Sequence, residues 1–273
     1  MVNGRFQDWV ASSDRGFHYG DGVFTSAAVR SGRALLLDRH LARLARDCDQ
    51  LSIPFPGTAT LTEEAHRLCQ ARIEGVLKIQ VTRGPGGRGY RLPDSPMPTR
   101  VLSLHPVPRY DSRLCEEGVS VRICDHRLGW NTALAGVKHM NRLEQILARA
   151  EWDDDSPEEG LMLDQDGSVV EGTMSNVFLV RRLRLITPLL DRCGVAGVMR
   201  GLLLEIASRL GIPVEQRRVK PSEFDDTDEM FLTNAVIGLW PVRRIETIEL
   251  AVGPLTRRLV GAVDEILARE TPD

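Results

Sequence analysis

Only three lysines, Lys78, Lys138 and Lys220, stand among the 35 basic residues of this chain, so an amine able to attack a carbonyl has three candidates. Lys78 lies in Val76-Leu77-Lys78-Ile79-Gln80-Val81-Thr82, a period-2 run that sets it beside Gln80 and Thr82 on a polar, solvated strand face. Lys220 closes Arg217-Arg218-Val219-Lys220 ahead of Pro221-Ser222-Glu223, where a strand gives way to a helix start, and reads as exposed. Lys138 differs. It follows the small, uncharged Leu134-Ala135-Gly136-Val137 and precedes a helical pattern that places Leu143, Ile146, Leu147 and Ala150 on one face. Partial desolvation there would lower its pKa and favour Schiff-base chemistry, the plainer alternative being a lysine at a helix start.

Four further stretches carry groups that chemistry could use. Glu171-Gly172-Thr173-Met174-Ser175-Asn176 puts a carboxylate at a strand end among small residues, either a satisfied turn acid or a functional acceptor. Gly194-Val195-Ala196-Gly197-Val198-Met199-Arg200 opens a helix, and small residues ahead of a helix N-terminus leave N–H groups and the helix dipole facing an anion. Gly84-Pro85-Gly86-Gly87-Arg88-Gly89-Tyr90 reads as a mobile carboxylate-binding lid or as a flexible surface loop. Within Asp14 to Ser26, three glycines suit either a close approach of backbone to something bulky or a tight turn into a strand. Arg43 falls beside the apolar face of a helix and needs an anionic partner.

The elements that would position these groups follow from periodicity. Turns at Asn3-Gly4 and Ser31-Gly32 signal hairpins. Asp38 suits the N-cap of a helix to Gln50, and Thr60-Leu61-Thr62-Glu63 suits a capping box for a second helix to Ile73. Strands are expected at 76–83, 100–107, 119–124, 160–164, 168–171, 177–186 and within 229–242, with a helix that follows the Lys138 segment and ends by Trp152, one after Gly197 and a terminal one at 255–270. Proline and polar residues at 106–113 mark a linker, so the expected organisation is an N-terminal α/β domain (1–108), a linker (109–117) and a C-terminal α/β domain (118–273) carrying Lys138. Residues 153–157 form a charged break.

Composition narrows the classes. The net charge of -3 argues against nucleic acid as main partner, since phosphate backbones select basic surfaces. Five cysteines without a Cys-x-x-Cys pair suggest reduced thiols, and the histidines and cysteines show no metal-ligand spacing. No apolar run is long enough to span a bilayer, so a cytoplasmic protein acting on a small molecule is expected.

A lone desolvated lysine, a strand-end glutamate, an anion-binding helix start and an arginine together suit pyridoxal phosphate, which needs an amine, a carboxylate at its ring nitrogen and a phosphate cradle. The motifs add to this. Asp14-Arg15 with Tyr19-Gly20-Asp21-Gly22-Val23-Phe24, His40-Leu41-Ala42-Arg43-Leu44, Thr82-Arg83-Gly84 with Gly86 to Tyr90, Gly136 to Gln145, Glu171-Gly172 with Ser175-Asn176, and Gly194 to Arg200 resemble the fold-type IV pyridoxal-phosphate enzymes over nearly the whole chain. The Gly-Gly-Arg-Gly-Tyr and Lys-His-Met-Asn-Arg-Leu-Glu-Gln pieces are most similar to the aminodeoxychorismate lyases, whereas the Gly-Asp-Gly, Glu-Gly and Asn-Val-Phe pieces are shared with D-amino-acid and branched-chain aminotransferases. The resemblance implies a mixed α/β (α+β), two-domain fold, a homodimer and a lyase that releases 4-aminobenzoate and pyruvate, with an aminotransferase as the alternative. It implies that Lys138 carries the cofactor, that Glu171 pairs with its ring nitrogen, and that Arg43 with the backbone of Val198, Met199, Asn234 and Ala235 holds its phosphate. Arg88, Tyr90 and Phe24 would then line the substrate side. Ser26 stands where the lyases tend to carry threonine, a hydroxyl placed to protonate the departing group.

Overall fold

A computed structural model describes residues 1–111, 113–153 and 156–270. Ser112 of the expected linker, Asp154 and Asp155 of the expected charged break, and 271–273 lie outside the described residues.

The described chain divides into two compact units. The first holds 1–108, Val137 to Asn141 and the end of the last helix from Leu267. After a short α1 (Arg15–Tyr19), β1 (Gly22–Arg30) and β2 (Arg33–Ala34) form the expected hairpin, and β3 (Gly75–Thr82) and β4 (Thr99–His105) extend it to an antiparallel sheet in the order β2-β1-β3-β4. Alternation sets the faces. Val23, Val29, Leu77, Ile79 and Val81 are buried, and with Leu41, Leu44, Cys48, Leu61 and Ala65 of α2 (Leu37–Gln50) and α3 (Thr58–Cys69) they form one core. α2 begins ahead of the expected cap: Leu36 is its N-cap, in a left-handed conformation, and its N–H donates to Glu270. α3 likewise starts at Thr58 behind Gly57, with no side-chain cap, so Thr60 and Glu63 form no capping box.

The second unit holds 109–136 and 142–266. It contains α4 (Leu114–Glu117), β5 (Val119–Leu128), α5 (Leu143–Arg149), β6 (Glu159–Asp164), β7 (Val169–Gly172), β8 (Asn176–Arg181), β9 (Arg184–Pro188), α6 (Val198–Arg209), β10 (Val214–Arg217), β11 (Glu229–Asn234), β12 (Gly238–Ile245), β13 (Ile248–Glu249) and most of α7 (Pro254–Glu270). Its mixed sheet runs β10-β9-β8-β11-β12-β5-β6-β7, with β13 on β12; the β10/β9, β12/β5 and β5/β6 pairs are parallel. Its central strands β8 and β11 carry apolar runs buried on both faces, Val177 to Val180 and Met230 to Leu232. The mixed α/β class is as expected.

One expectation is corrected: the segment bearing Lys138 belongs to the first unit and not to a 118–273 domain, because its main chain pairs with β1. The apolar row of α5 is exposed, Leu143, Ile146 and Leu147 at 71%, 60% and 54%. Among the described residues no helix is long and apolar enough to cross a membrane, and no group of three or more His, Cys, Asp or Glu is arranged to hold a metal ion.

Candidate active site

Lys138 is held by its main chain on both sides. The N–H of Phe24 donates to the Lys138 carbonyl (3.0 Å) and the N–H of Met140 to that of Gly22 (2.9 Å), so residues 138–140 pair as an antiparallel edge with the start of β1. The N–H of Lys138 donates to Asp47 Oδ2 of α2 at 3.1 Å. The Nζ lies 4.7 Å from the centroid of the Phe24 ring. Lys78 lies on the partly exposed face of β3, as alternation suggests, and its Nζ reaches the same ring, 5.1 Å from the centroid. Phe24 and Ser26 share one half-buried face of β1, and Ser26 pairs in register with Lys78. The sheet thus gathers Lys138, Phe24, Lys78 and Ser26 by way of one aromatic ring and one register.

Thr25 points to the opposite, buried face and meets α2. Arg43 Nη2 donates to Thr25 Oγ1 at 2.6 Å, and Thr25 Oγ1 lies 2.6 Å from His40 Nδ1. Thr25 Oγ1 thus accepts from Arg43 and shares a second hydrogen bond with the buried His40 ring. Burial, then the charges of Arg43 and Lys138, push the His40 pKa down to about 3. Burial also brings the Arg43 guanidinium down to about 10, with Asp47 opposing, and its Nε has no hydrogen-bond partner. Sequence reasoning found Arg43 but missed Thr25, His40 and Asp47. The one available signal was the four-residue spacing of Arg43 and Asp47 on a helix.

Arg88 and Tyr90 stand exposed on the glycine-rich loop, Tyr90 at 85%. The base of that loop is built from elsewhere. Arg15 Nη1 donates to the carbonyls of Gly89 (3.0 Å) and Arg91 (3.4 Å), and the Tyr19 hydroxyl accepts from the Gly89 N–H (3.0 Å). Arg15 and Arg83 both bind Asp21; burial raises that carboxyl, but hydrogen bonds from Arg83 and Arg15 outweigh it and leave its pKa lowered. Nothing brings Arg88 or Tyr90 into the cluster around Phe24.

In the second unit Glu171, at the end of β7, is 4% exposed, and its Oε2 accepts from the Val195 N–H at 2.8 Å. Arg142 lies near enough that Glu171 supports its charged state against burial. Asn176 donates to the Val195 carbonyl (2.9 Å) and accepts from the Gly197 N–H (3.2 Å), pinning the approach to α6. A Cβ at Gly197 would collide with the Asn176 carbonyl oxygen. α6 then starts at Val198 with no side-chain cap. Asn234 and Ala235 form the turn between β11 and β12, where Asn234 accepts from the N–H groups of Val236 and Ile237 and donates to the Met174 carbonyl. Within this unit Glu171 and Asn176 thus hold the segment that leads into α6 at Val198, and Asn234 reaches Met174 of the turn after Glu171.

Taken unit by unit, the residues fit parts of pyridoxal phosphate: in the first, Arg43 is a buried cation whose Nε has no hydrogen-bond partner, and in the second the uncapped start of α6 is a ready anion cradle, with Glu171 a buried carboxylate bonded to the segment that leads into it.

Residues 22–245 match the family described as amino-transferase class IV. The chain is 36% identical to an aminodeoxychorismate lyase of Vibrio harveyi, over 95% of this chain and 97% of that protein. It is 29% identical to a putative branched-chain-amino-acid aminotransferase of Methanocaldococcus jannaschii, over 94% and 92%. The crystal structure of 4-amino-4-deoxychorismate lyase from Pseudomonas aeruginosa superimposes with a TM-score of 0.94 at 48% identity, covering 97% of this chain and 98% of that one.

The neutral, buried His40 carries a pH signature. Its folded pKa lies below the unfolded value near 6.5, so the unfolded chain binds the extra proton, and stability present above about pH 6.5 is lost as pH falls toward about 3. Urea unfolding of wild type should lose about 1 kcal/mol per pH unit more than His40→Asn between about pH 6 and pH 4. Equal slopes would mean that the ring is not buried in its neutral form.

Proposed function

Because the chain belongs to the class IV aminotransferase family, whose enzymes depend on pyridoxal phosphate, we propose that it is a lyase converting 4-amino-4-deoxychorismate to 4-aminobenzoate and pyruvate. The observation that carries this reading is its likeness, over nearly the whole chain, to aminodeoxychorismate lyases at 48% and 36% identity. Lys138 would bind the cofactor, Arg43 and the N–H groups of Val198 and Met199 would hold its phosphate with the turn at Asn234 and Ala235 assisting, and Glu171 would keep a proton on its ring nitrogen. When bound, the cofactor supplies an electron sink next to the carbon that bears the substrate's amine. Lys138 Nζ would take the proton from this carbon, with the Phe24 ring, 4.7 Å away, orienting the amine. Loss of the enolpyruvyl group from the neighbouring carbon leaves an aromatic ring. Ser26 Oγ, on the same strand face as Phe24, would deliver the proton that turns the departing enol into pyruvate. Arg88 and Tyr90 would meet a substrate carboxylate from the loop.

An aminotransferase would use the same lysine and glutamate, and the aminotransferase relative keeps that alternative open to test. The setting this reading implies is a cytoplasmic homodimer in folate biosynthesis. The exposed row Leu143, Ile146 and Leu147 supports it, since apolar rows at helical spacing mark contact surfaces. Light scattering should return twice the mass of the 273-residue chain, and a monomer at assay concentration would remove the dimer from the proposal.

The direct experiment is to supply 4-amino-4-deoxychorismate without any 2-oxo acid and measure pyruvate. Release is expected with wild type and not with Lys138→Ala, and borohydride should fix the cofactor to Lys138. A requirement for an amino acceptor would turn the reading to aminotransferase, and label on Lys78 would move the amine to the other side of the Phe24 ring's pair.

Ser26→Ala should still exchange the substrate's proton with solvent while pyruvate release falls about 10²-fold, the usual loss for a positioned acid. Ser26→Thr should keep both. Pyruvate release at the wild-type rate from the alanine variant would take Ser26 out of the mechanism.

A further inference from the structure

We propose that Asp47 is the residue that positions Lys138, a role that rests on the reading of Lys138 as the reactive amine. Asp47 is on α2, between Arg46 and Cys48, and its side chain is 0% exposed. A carboxylate so buried needs donors and opposite charge around it. Oδ2 accepts from the Lys138 N–H at 3.1 Å and lies 3.9 Å from Arg43 Nε, while Oδ1 accepts from Arg46 Nη2 at 3.2 Å. One oxygen atom therefore faces both the main chain of the amine-bearing residue and the buried guanidinium.

The contacts close into a ring. Lys138 N–H reaches Asp47, Asp47 faces Arg43, Arg43 donates to Thr25, and Phe24, the neighbour of Thr25, donates its own N–H to the Lys138 carbonyl. The two peptide groups that flank the Lys138 Cα are thereby fixed, one by a charged acceptor and one by a strand bond. Where the side chain starts is set by these two bonds, and the Phe24 ring then limits where it ends. An apolar residue at position 47 would leave the Lys138 N–H without this acceptor.

The test uses the purified protein as isolated and reads amide hydrogen exchange at Lys138, with Leu77 of the sheet core as an internal reference. Asp47→Asn keeps a neutral acceptor, and since charge-assisted bonds are about twice as strong as neutral ones, exchange at Lys138 should rise roughly 3- to 10-fold. In Asp47→Ala the acceptor is gone and the rise should be roughly 10- to 100-fold, with Leu77 unchanged relative to wild type. The rate at which added pyridoxal phosphate becomes trapped on Lys138 by borohydride should fall in the same order. A purely structural role would raise exchange at Leu77 and Lys138 alike and would overturn the proposal, as would wild-type exchange at Lys138 in either variant. Should the alanine variant not fold, the asparagine variant against wild type decides. If the label falls on Lys78 in wild type, the functional reading fails, while the exchange result still reports whether Asp47 holds the Lys138 main chain.

Discussion

Main-chain pairing between Val137 to Asn141 and the first residues of β1 is the constraint on which the reactive side of the molecule depends. Each backbone hydrogen bond contributes only about 1 kcal/mol net, but the pair at Phe24 and Met140 works with the Asp47 contact to hold five residues against a sheet instead of leaving them as a helix lead-in. The approach explains the glycines of the Gly-Asp-Gly motif. A Cβ on Gly22 would meet the Met140 sulfur at 2.7 Å and the Val81 carbonyl at 2.8 Å. Gly20 has φ +63°, and its carbonyl accepts from Asn141. The bulky neighbour that those glycines admit is the lysine segment itself.

What could be read from the sequence divides along a physical line. Period and wording single out Lys138, Glu171, Arg43 and the start of α6 as candidates, because each sits in a locally distinctive context. Periodicity says which side chains share a face and not which face is covered. The stripe Leu143, Ile146 and Leu147 is as apolar as the stripe of α2, yet it is exposed on the described surface. Asp47 looks like an ordinary helix-surface acid until a segment ninety residues away in sequence lies over it, and no local rule can supply that contact. Lys78 shows the same limit: alternation places it on the partly exposed face, but only the strand pairing shows that this face also carries the Phe24 ring.

The second unit achieves its order with a different carboxylate. Glu159 is 1% exposed and accepts from the N–H groups of Gly160, Thr173 and Met174 and from the hydroxyls of Thr173 and Ser175. One buried anion thus gathers the turn that leads from Glu171 to Asn176, and the donors around it offset the cost of burying its charge. Glu171 is then free of that task. The division of labour between two nearby acids, one tied down by a turn and one bonded to the Val195 N–H, is set by their surroundings, since the side chains are chemically alike.

The anchoring of the glycine-rich loop has a consequence for how it can respond to any ligand. Gly84 is tied to Arg15 and Thr82, Gly86 to Ser13, and Gly89 and Arg91 to Arg15 and Tyr19. Only the tip around Gly87 and Arg88 lacks such ties among the contacts that hold this loop. Immobilising backbone costs about 1–2 kcal/mol per residue in conformational entropy, so closing a loop whose base is already ordered costs a few kcal/mol and not the sum over the whole stretch. Most of the disorder that a free lid would surrender on closing has been given up during folding, and the arginine at the tip can be drawn onto an anion with little of the attraction spent on ordering the chain behind it.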